Sequence, residues 1–570
     1  MRYFLGIAPH QIGLKKLYFA ANIQSLDLSI QQHYLPAIYR LGLLLLFISG
    51  IACSTGPQED RSHLVFRYNE DGNITSLDPA FSRNLENIWA TTHLFNGLVQ
   101  LNDNLEVIPD IAEQWNVSTD GLVYEFHIRE DVYFHKHPAF GDKKTRRVIA
   151  SDFVYSLKRL LDPQLASPGG WVLQNVKHIE AKNDRILTIT LKKAFPAFLG
   201  LLSMRYCSVI PHEIASLKGG NFRKNPIGTG PFAFKNWEED VKLVLRKNPL
   251  YFERDHKGET LPYLEAVAIS FVPDKQSEFM LFLQGKLDLL NSLDNSYKDE
   301  LLTQEGQLPE KYRDKINLQK GPYLNTEYLG FYLDSPSPVI QSSMIREAIN
   351  IGFDRKKMMT YLRNNIGFEG DKGFIPKGLP GHPENRLLEY QPEKAAELVK
   401  TFEKQTGLKA RITLATDPNY VDLCEYIQRE LQKIGISIKV DVMPPATLKQ
   451  ARSQGKLEMF RSNWIADYPD AENYMSLFYS KNLSPSGPNY THFNNDTFDS
   501  YYQESFMIND ADKRSKHYQT MDSLAMSRHR LIPLFYDQVV RFTQKEVEGL
   551  SLNPVNVLKL KKVRKTKKPL

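Results

Sequence analysis

One stretch, residues 410–443, restricts the fold of this chain more than any other. Its two ends, ARITLAT and ISIKVDVM, alternate apolar and polar side chains, which predicts two β-strands. Between them, one helix face carries Leu423, Ile427 and Leu431, and Gly435 stands in the usual helix-ending position. A strand, a helix and a strand in so short a stretch predict a βαβ unit, and hence a parallel sheet covered by helices. The following LEMFRSNW predicts a further strand.

Two or three domains are expected from the length of the chain. It has 570 residues, whereas a single hydrophobic core stops growing at about 250–300 residues. Its composition, 42% hydrophobic and 24% charged, is that of a folded globular protein. We therefore expect most of the chain to pack into domains.

The formal net charge of +6 is concentrated at the two ends of the chain. Residues 559–568 hold seven basic residues and no acid, and residues 1–52 hold four basic residues and one acid. Subtracting +7 and +3 leaves −4 for residues 53–558, which argues against a nucleic-acid-binding groove on the folded part. We expect the basic end to be a frayed, solvated tail, with contact to an anionic surface as the alternative.

A secretory leader is indicated upstream of the first cysteine. A basic residue precedes an apolar run, Leu41 to Ala52, that is too short to span a bilayer as a mature helix. The run ends in Gly-Ile-Ala-Cys, which resembles a bacterial lipobox, the motif whose cysteine is acylated. We predict a signal peptide over 1–52, lipidation of Cys53 and a polar tether over 53–62, in preference to plain secretion.

The stretch RSNWIADYPD, residues 461–470, is the candidate site. It continues the predicted strand past its end, and ligands of open α/β sheets bind beyond the carboxyl ends of strands. A cation, an aromatic ring and a carboxylate follow at three-residue steps, as Arg461, Trp464 and Asp467. Such groups suit a small molecule that carries both charges. A structural reading stays open, in which they form a turn and Asp470 caps the next helix.

Ten separated motifs, in order, give the chain a family resemblance. From about residue 63 to about 545 it resembles the bacterial extracellular solute-binding proteins of the oligopeptide, dipeptide and nickel group. The motifs are SLDPAF (76–81), LFNGLV (94–99), PDIAEQW (109–115), DGLVYEFHIRE (120–130), ASDFVYSLKRLLDP (150–163), NPIGTGPF (225–232), LRKNPLYF (245–252), IREAINIGFDR (345–355), WIADYP (464–469) and LIPLFY (531–536).

The resemblance implies an α/β, two-lobed periplasmic-binding-protein fold of the Venus-flytrap type. It has mixed sheets with flanking helices and an extra domain in lobe 1, and the chain crosses between the lobes near 322 and 529. The implied parts are a lobe 1 core (63–95 with 211–322 and 530–558), an extra domain (96–210), lobe 2 (323–529) and the basic tail (559–570).

The resemblance also implies roles for the candidate site. Asp467 would pair with the α-ammonium group of a peptide, and Arg461 would take the α-carboxylate of a peptide of suitable length. The backbone from Asn463 to Ile465 would pair with the extended ligand, and Trp464 would line a pocket for a ligand side chain.

Lobe 1 contacts are expected around residues 82–85, although the sequence assigns none of them singly. Where the family has an aromatic residue after the Ala-Ser-Pro motif, this chain has Gly169, with Trp171 close by.

The function implied is that of a substrate-binding lipoprotein of an ABC importer, periplasmic or extracytoplasmic and anchored to the membrane by lipid. Its partners would be short peptides and the permease and ATPase subunits of the transporter. We expect a monomer that is not an enzyme and has no cofactor, no metal and no nucleic-acid partner. Two alternatives stay open: a binding protein for another solute, such as a metal chelate or haem, and a peptide receptor or chaperone without a transporter.

Other motifs favour structural interpretations. In NPIGTGPF, Gly228 and Gly230 predict a tight backbone passage and no phosphate cradle, because the Lys-Ser/Thr of a P-loop is missing. The HEIAS stretch lacks the second histidine of a zinc-protease helix. His135 and His137 are expected at the surface. The remaining cysteines, Cys207 and Cys424, are expected to be buried free thiols.

Overall fold

The computed structural model describes residues 62–214, 222–292, 294, 297–385 and 389–566. The predicted signal peptide, the predicted lipidation site Cys53 and the tether up to residue 61 lie outside these ranges. Within the described residues, no helix has both the length and the apolar character needed to cross a bilayer.

The β-strands of the described residues are numbered in chain order. They are β1 Val65–Glu70, β2 Val99–Leu101, β3 Val107–Pro109, β4 Ala112–Val117, β5 Val123–Ile128, β6 Val176–Ala181, β7 Ile186–Leu191, β8 Phe232–Glu238, β9 Lys242–Lys247, β10 Ala266–Phe271, β11 Leu289–Asn291, β12 Ile316–Phe331, β13 Phe368–Glu369, β14 Arg411–Thr416, β15 Ser437–Val442, β16 Met459–Ile465, β17 Leu531–Gln544, β18 Val547–Glu548 and β19 Arg564–Lys565.

The α-helices are numbered in the same way. They are α1 Leu85–Leu94, α2 Ala150–Leu160, α3 Phe198–Leu202, α4 Lys275–Leu283, α5 Lys298–Leu301, α6 Glu310–Arg313, α7 Pro338–Gln341, α8 Ser343–Ile351, α9 Arg355–Arg363, α10 Pro392–Thr406, α11 Val421–Lys433, α12 Pro445–Ser453, α13 Glu472–Met475, α14 Asp496–Ser505 and α15 Ala511–Met526.

The predicted βαβ unit is confirmed as β14, α11 and β15. The two strands pair in parallel, from Arg411 opposite Ser437 to Thr416 opposite Val442. The predicted face of α11 is buried, and Gly435 follows the helix with φ +95°. The apolar period of this segment was enough to predict it because both strands and the helix are local in sequence.

A mixed seven-stranded sheet contains this unit and leads to the candidate site. Its order is β11-β17-β12-β16-β14-β15, and β13 pairs with β17. The predicted strand β16 is antiparallel to β12 over its whole length. It is parallel to β14 as well, but only through Met459 and Phe460.

Two long strands, β12 and β17, run through the middle of the molecule. They pair antiparallel, and the register shifts between Pro322 and Thr326. A shift of this kind bends a strand and interrupts its ladder. The bend lies next to Leu324, whose carbonyl accepts a hydrogen bond from Ala466 N at 2.9 Å.

Smaller sheets belong to the first half of the chain. One four-stranded sheet has the order β1-β10-β9-β8, and another has the order β4-β5-β7-β6. The second sheet lies entirely within residues 96–210, the segment predicted to be an extra domain.

The buried apolar residues of the described chain form several clusters. One core draws on residues 66–289 and 547–563 and also includes Tyr468. Two further cores draw on residues 324–535. Tyr468 therefore joins the loop after β16 to the first core. Cys207 and Cys424 are buried free thiols, as predicted.

Gly228 and Gly230 lie where the chain passes the end of α1. A β-carbon at Gly228 would lie 2.1 Å from Leu94 O, and one at Gly230 would lie 2.6 Å from His93 O. Gly230 N donates to Leu94 O at 2.9 Å. The motif is therefore a packing element, as predicted, and any larger residue would push the two backbones apart.

His135, which was expected at the surface, is instead buried beside this motif, with Nε2 3.0 Å from Gly230 O.

The basic C-terminal segment is ordered through residue 566, so the prediction of a frayed tail is wrong over residues 559–566. Lys565 Nζ lies 2.8 Å from Asp288 Oδ1, and the two side chains are 5% and 3% exposed. Lys561 Nζ lies 2.7 Å from Glu253 Oε2. The tail folds because distant parts of the chain supply carboxylates for its cations, which the local sequence does not reveal.

Candidate ligand-binding site

A cavity of about 360 Å³ is lined by several separate segments of the chain. Three of them are the turn after SLDP with helix α1, the chain just after β16, and the C-terminal segment. They contribute Ser82, Arg83 and His93; Ile465, Ala466 and Asp467; and Val555, Val557, Lys559 and Lys561. This size suits a small ligand, since ligand pockets run from about 300 to 1,000 Å³.

Asp467 is held in the cavity by the end of β16 and by α13. Ala466 N is bonded to β12, as described above, and Asp467 N donates to Asn473 Oδ1 at 3.4 Å. The same oxygen accepts a hydrogen bond from Trp464 Nε1 at 2.8 Å. Asn473 therefore fixes both the carboxylate loop and the indole ring. Glu472 N donates to Asp470 Oδ1 at 2.9 Å, but the N-cap residue of α13 is Ala471 and not Asp470.

The Asp467 side chain is exposed to the cavity and surrounded by protein beyond it. Burial of the site raises the pKa of Asp467, while the Asn473 hydrogen bond and the charge of Arg83 oppose that rise. Tyr206 lines the same cavity, and burial together with Asp467 raises its pKa to about 12. Burial thus raises the pKa of both groups, and the phenol of Tyr206 is neutral at neutral pH.

Arg83 lines the same cavity as Asp467 and comes from the turn before α1. The turn before it is rigid, because Asp78 is buried, accepts a hydrogen bond from Ala80 N at 3.0 Å and pairs with Arg159. Arg83 itself is exposed, and within the described part of the chain no carboxylate lies within 4.0 Å of its guanidinium. A cation and a carboxylate therefore line one cavity without forming a direct ion pair.

Two of the five predicted ligand residues line the cavity. They are Asp467 and Ile465, whose side chain is 43% exposed. Trp464 is half-buried and packs against the core of residues 324–535. Asn463 is also half-buried, and its Nδ2 donates to Asn325 Oδ1 at 3.3 Å. Neither of these two lines the cavity.

Arg461, the predicted partner of a ligand carboxylate, does not line the cavity. Its side chain is 5% exposed and forms ion pairs with Glu327 and, at 3.3 Å, with Asp417 Oδ2. Its guanidinium also lies 3.1 Å from the centre of the Tyr420 ring. In this structure the Arg461 guanidinium pairs with protein carboxylates, while its Nε has no hydrogen-bond partner among the described residues. Its role towards a ligand carboxylate stays a prediction.

The edge of β16 is open beside the site. Because β14 pairs with β16 only through Met459 and Phe460, residues 461–465 have no partner strand on that side among the described strands. Unpaired backbone groups on a sheet edge can accept an added strand. The segment predicted to pair with an extended ligand, Asn463 to Ile465, belongs to this edge.

The ring of Tyr206 occupies the space beside Gly169, where the family has an aromatic residue. A β-carbon at Gly169 would lie 2.4 Å from Tyr206 Cγ, so the ring of Tyr206 occupies that space. Trp171 is 36% exposed and its ring centre lies 6.2 Å from that of Tyr468. Arg83 lies within residues 82–85, where lobe 1 contacts were expected without being assigned singly. Sequence reasoning missed Tyr206 as a lining residue, because nothing local marks it.

Comparisons with known proteins agree with this architecture. Residues 106–485, more than half of the chain, match the family described as "Bacterial extracellular solute-binding proteins, family 5 Middle". Heme-binding protein A of Haemophilus influenzae is 26% identical over 82% of this chain and 85% of its own. The dipeptide-binding protein of Escherichia coli is 24% identical over 91% of this chain and 97% of its own.

A solved structure extends the likeness to the fold. The periplasmic binding protein DppA from Helicobacter pylori, in complex with the peptide STSA, superposes with a TM-score of 0.72. It is 25% identical and the match covers 88% of this chain and 98% of the other. The two-lobed periplasmic-binding-protein fold predicted from the sequence is confirmed. The chain belongs to the bacterial extracellular solute-binding proteins of family 5.

Proposed function

We propose that this protein captures short peptides between its two lobes for import by an ABC transporter. The observation that carries the proposal is that a carboxylate, Asp467, and a cation without a carboxylate partner, Arg83, line the same cavity. A peptide is zwitterionic, so its α-ammonium group finds a carboxylate and its acidic end finds a cation. The similarity to peptide-binding relatives supports the same ligand class.

The backbone of the ligand is bound by strand addition. The open edge of β16, from residue 461 to residue 465, supplies hydrogen-bonding groups that every peptide satisfies equally, whatever its sequence. Ile465 lies exposed at the end of this edge and contacts ligand side chains through apolar surface. A site that binds the termini and the main chain accepts peptides of many sequences, but it requires their terminal charges.

Closure of the lobes follows from contacts made to both walls at once. Lobe 1 takes residues 63–322 with its extra domain at 96–210, and lobe 2 takes residues 323–529. The chain returns to lobe 1 after residue 529. The register shift in β12 opposite β17 serves as the hinge. The C-terminal segment to residue 566 belongs with lobe 1, because Lys565 pairs with Asp288 there.

The location proposed for the protein follows from the predicted signal peptide and lipidation site. Removal of residues 1–52 and acylation of Cys53 give a monomeric, membrane-anchored lipoprotein outside the cytoplasm, which delivers peptides to permease and ATPase subunits. Metabolic labelling with a fatty acid, comparing the wild type with Cys53→Ser, tests the anchor.

Peptide binding is tested by calorimetry with tri-alanine and by mass spectrometry of ligands that co-purify with the protein. Asp467→Asn removes the charge that holds the α-ammonium group, so affinity falls roughly 30-fold or more. The matched control is Asp131→Asn, which removes a charge from an exposed ion pair with Arg129 far along the chain from the site. The absence of heat with any short peptide would refute the proposal.

A second candidate is a binding protein for haem, favoured by the similarity to Heme-binding protein A. Absorbance titration with haem separates the two. A haem-binding protein gives a saturable spectral change that tri-alanine does not compete away, whereas a peptide-binding protein gives none at the same concentration.

A further inference from the structure

Four aromatic rings from two distant parts of the chain meet beside the loop that follows β16. Phe195 and Trp171 come from the segment predicted to be an extra domain. Tyr468 lies in the loop itself, and Phe506 follows α14. The ring centre of Phe195 lies 5.6 Å from that of Phe506 and 6.4 Å from that of Tyr468. Together with the pair of Trp171 and Tyr468 described above, three ring contacts join the two parts of the chain.

The rings of Phe195 and Phe506 pack against different parts of the protein. Phe195 packs against the core of residues 66–289 and 547–563. Phe506 packs against a core that lies within residues 324–535. Both residues are half-buried, so separating the two rings would expose them further without opening either core.

One buried carboxyl group holds the rings that lie on the second side of this contact. The hydroxyl groups of Tyr468 and Tyr502 both donate hydrogen bonds to Glu472, which is 5% exposed. Tyr502 in turn packs edge-on against Phe506, with the ring centres 5.3 Å apart. Tyr468 and Phe506 are therefore fixed to their own side and would not follow Phe195 if the two sides moved apart.

The two parts also approach each other closely at a glycine. A β-carbon at Gly200, in α3, would lie 3.6 Å from Pro469 Cδ, which is an ordinary van der Waals distance. Alanine therefore fits at this position, whereas a longer side chain would press on Pro469.

We infer that Phe195, Trp171, Tyr468 and Phe506 form an aromatic latch between the two lobes that slows the release of a bound peptide. The inference rests on the proposed function for its two lobes, because the first two rings then belong to lobe 1 and the other two to lobe 2. None of the four residues lines the cavity, so the latch stabilises the closed form through contacts of the protein with itself. An aromatic pair shifts an equilibrium by roughly two- to tenfold, and here it shifts the balance of open and closed forms.

Phe195→Ala removes two of the three ring contacts and is the first test. In the ligand-free protein it is expected to raise the radius of gyration measured by small-angle X-ray scattering, because the open form gains population. The dissociation rate of tri-alanine, followed by stopped-flow fluorescence, is expected to rise at least roughly fivefold. The matched control is Met507→Ala, which removes a 76% exposed apolar side chain next to Phe506 and leaves both values unchanged.

A purely structural role for the four rings predicts a different result. If they only consolidated one rigid body, Phe195→Ala would lower the melting temperature but leave the ligand-free scattering and the dissociation rate unchanged, and this outcome overturns the inference. In the double variant with Phe506→Ala, the latch predicts dissociation about as fast as in Phe195→Ala alone, because the contact that the two residues share is already lost. Effects that multiply would instead exclude Phe506 from the latch and overturn the inference as stated.

A wedge variant keeps the inference testable if Phe195→Ala fails to fold. Gly200→Leu leaves every ring in place and is expected to open the lobes by pressing on Pro469, whereas Gly200→Ala is its control and stays closed. If no peptide binds, the proposed function fails, and the scattering of the ligand-free proteins still decides the latch. Larger radii of gyration for Phe195→Ala and Gly200→Leu than for the wild type support it, and equal radii overturn it.

Discussion

Arg461 and Glu327 form an ion pair in which neither side chain is more than 5% exposed. They lie on the neighbouring strands β16 and β12, two residues out of register, and therefore share one face of the sheet. Removing one member leaves the other as an uncompensated buried charge. We predict that Arg461→Ala lowers the free energy of unfolding by about 3–5 kcal/mol. Denaturation with urea measures this change.

The control for this prediction is Arg129→Ala, which breaks an ion pair with Asp131 whose side chains are 32% and 57% exposed. Exposed pairs contribute only about 0–1 kcal/mol. A stable Arg461→Ala protein with selectively weakened affinity for peptides bearing a free C-terminus would instead restore Arg461 to the role predicted from the sequence.

The affinity for peptides is predicted to depend on pH through Asp467. Its pKa in the free protein is raised by burial, and only its ionised form attracts an α-ammonium group. Affinity is therefore full above that raised pKa and falls as the pH is lowered through it, starting above the ordinary aspartate value of about 3.9. Calorimetry with tri-alanine from acidic to neutral pH measures the curve.

In Asp467→Asn the same curve is expected to be flat and lower across this range. Asp110, the other carboxyl group that lines the cavity, has its pKa raised to about 6 by burial. If Asp467→Asn retained the fall at acidic pH, Asp110 would be its source and Asp467 would lose its assigned role.

Gly228→Ala is predicted to disrupt the packing of the chain against α1. Its new β-carbon would lie 2.1 Å from Leu94 O, a backbone atom that cannot rotate away, so we expect a loss of about 3 kcal/mol or more. The matched control is Gly258→Ala, at φ +82° with no atom within 4 Å, where only the backbone conformation costs about 1 kcal/mol. Equal melting temperatures for both variants would contradict the close approach.

The parts of the fold that the sequence predicted are those determined by neighbouring residues. The period of α11 and the alternation of β14 and β15 are local, so their unit was predictable. The position of Asp467 was predictable as well, because it follows the end of an amphipathic strand.

The remaining features depend on partners that lie far away in sequence. Glu327 is 134 residues from Arg461, and nothing near RSNWIADYPD reveals that this cation is already paired. Tyr206 fills the space beside Gly169 through tertiary packing, which also has no local pattern. The basic tail was mispredicted for the same reason, since a run of lysines looks solvated until its carboxylate partners are known.

Lys565→Met is predicted to lower the free energy of unfolding by about 3–5 kcal/mol, because it leaves Asp288 buried without its cation. Burial already raises the pKa of Asp288, and Lys565 is the group that opposes this most. In the variant that pKa rises further, so the folded state binds a proton more readily than the unfolded state. Its loss of stability is then largest at neutral pH and shrinks as the pH falls through the raised pKa.

Lys562→Met, at an exposed lysine of the same segment, is expected to stay within about 0.5 kcal/mol of the wild type. Urea titrations at acidic and neutral pH compare the three proteins, and identical curves for the two variants would mean that the C-terminal segment does not contribute to the fold.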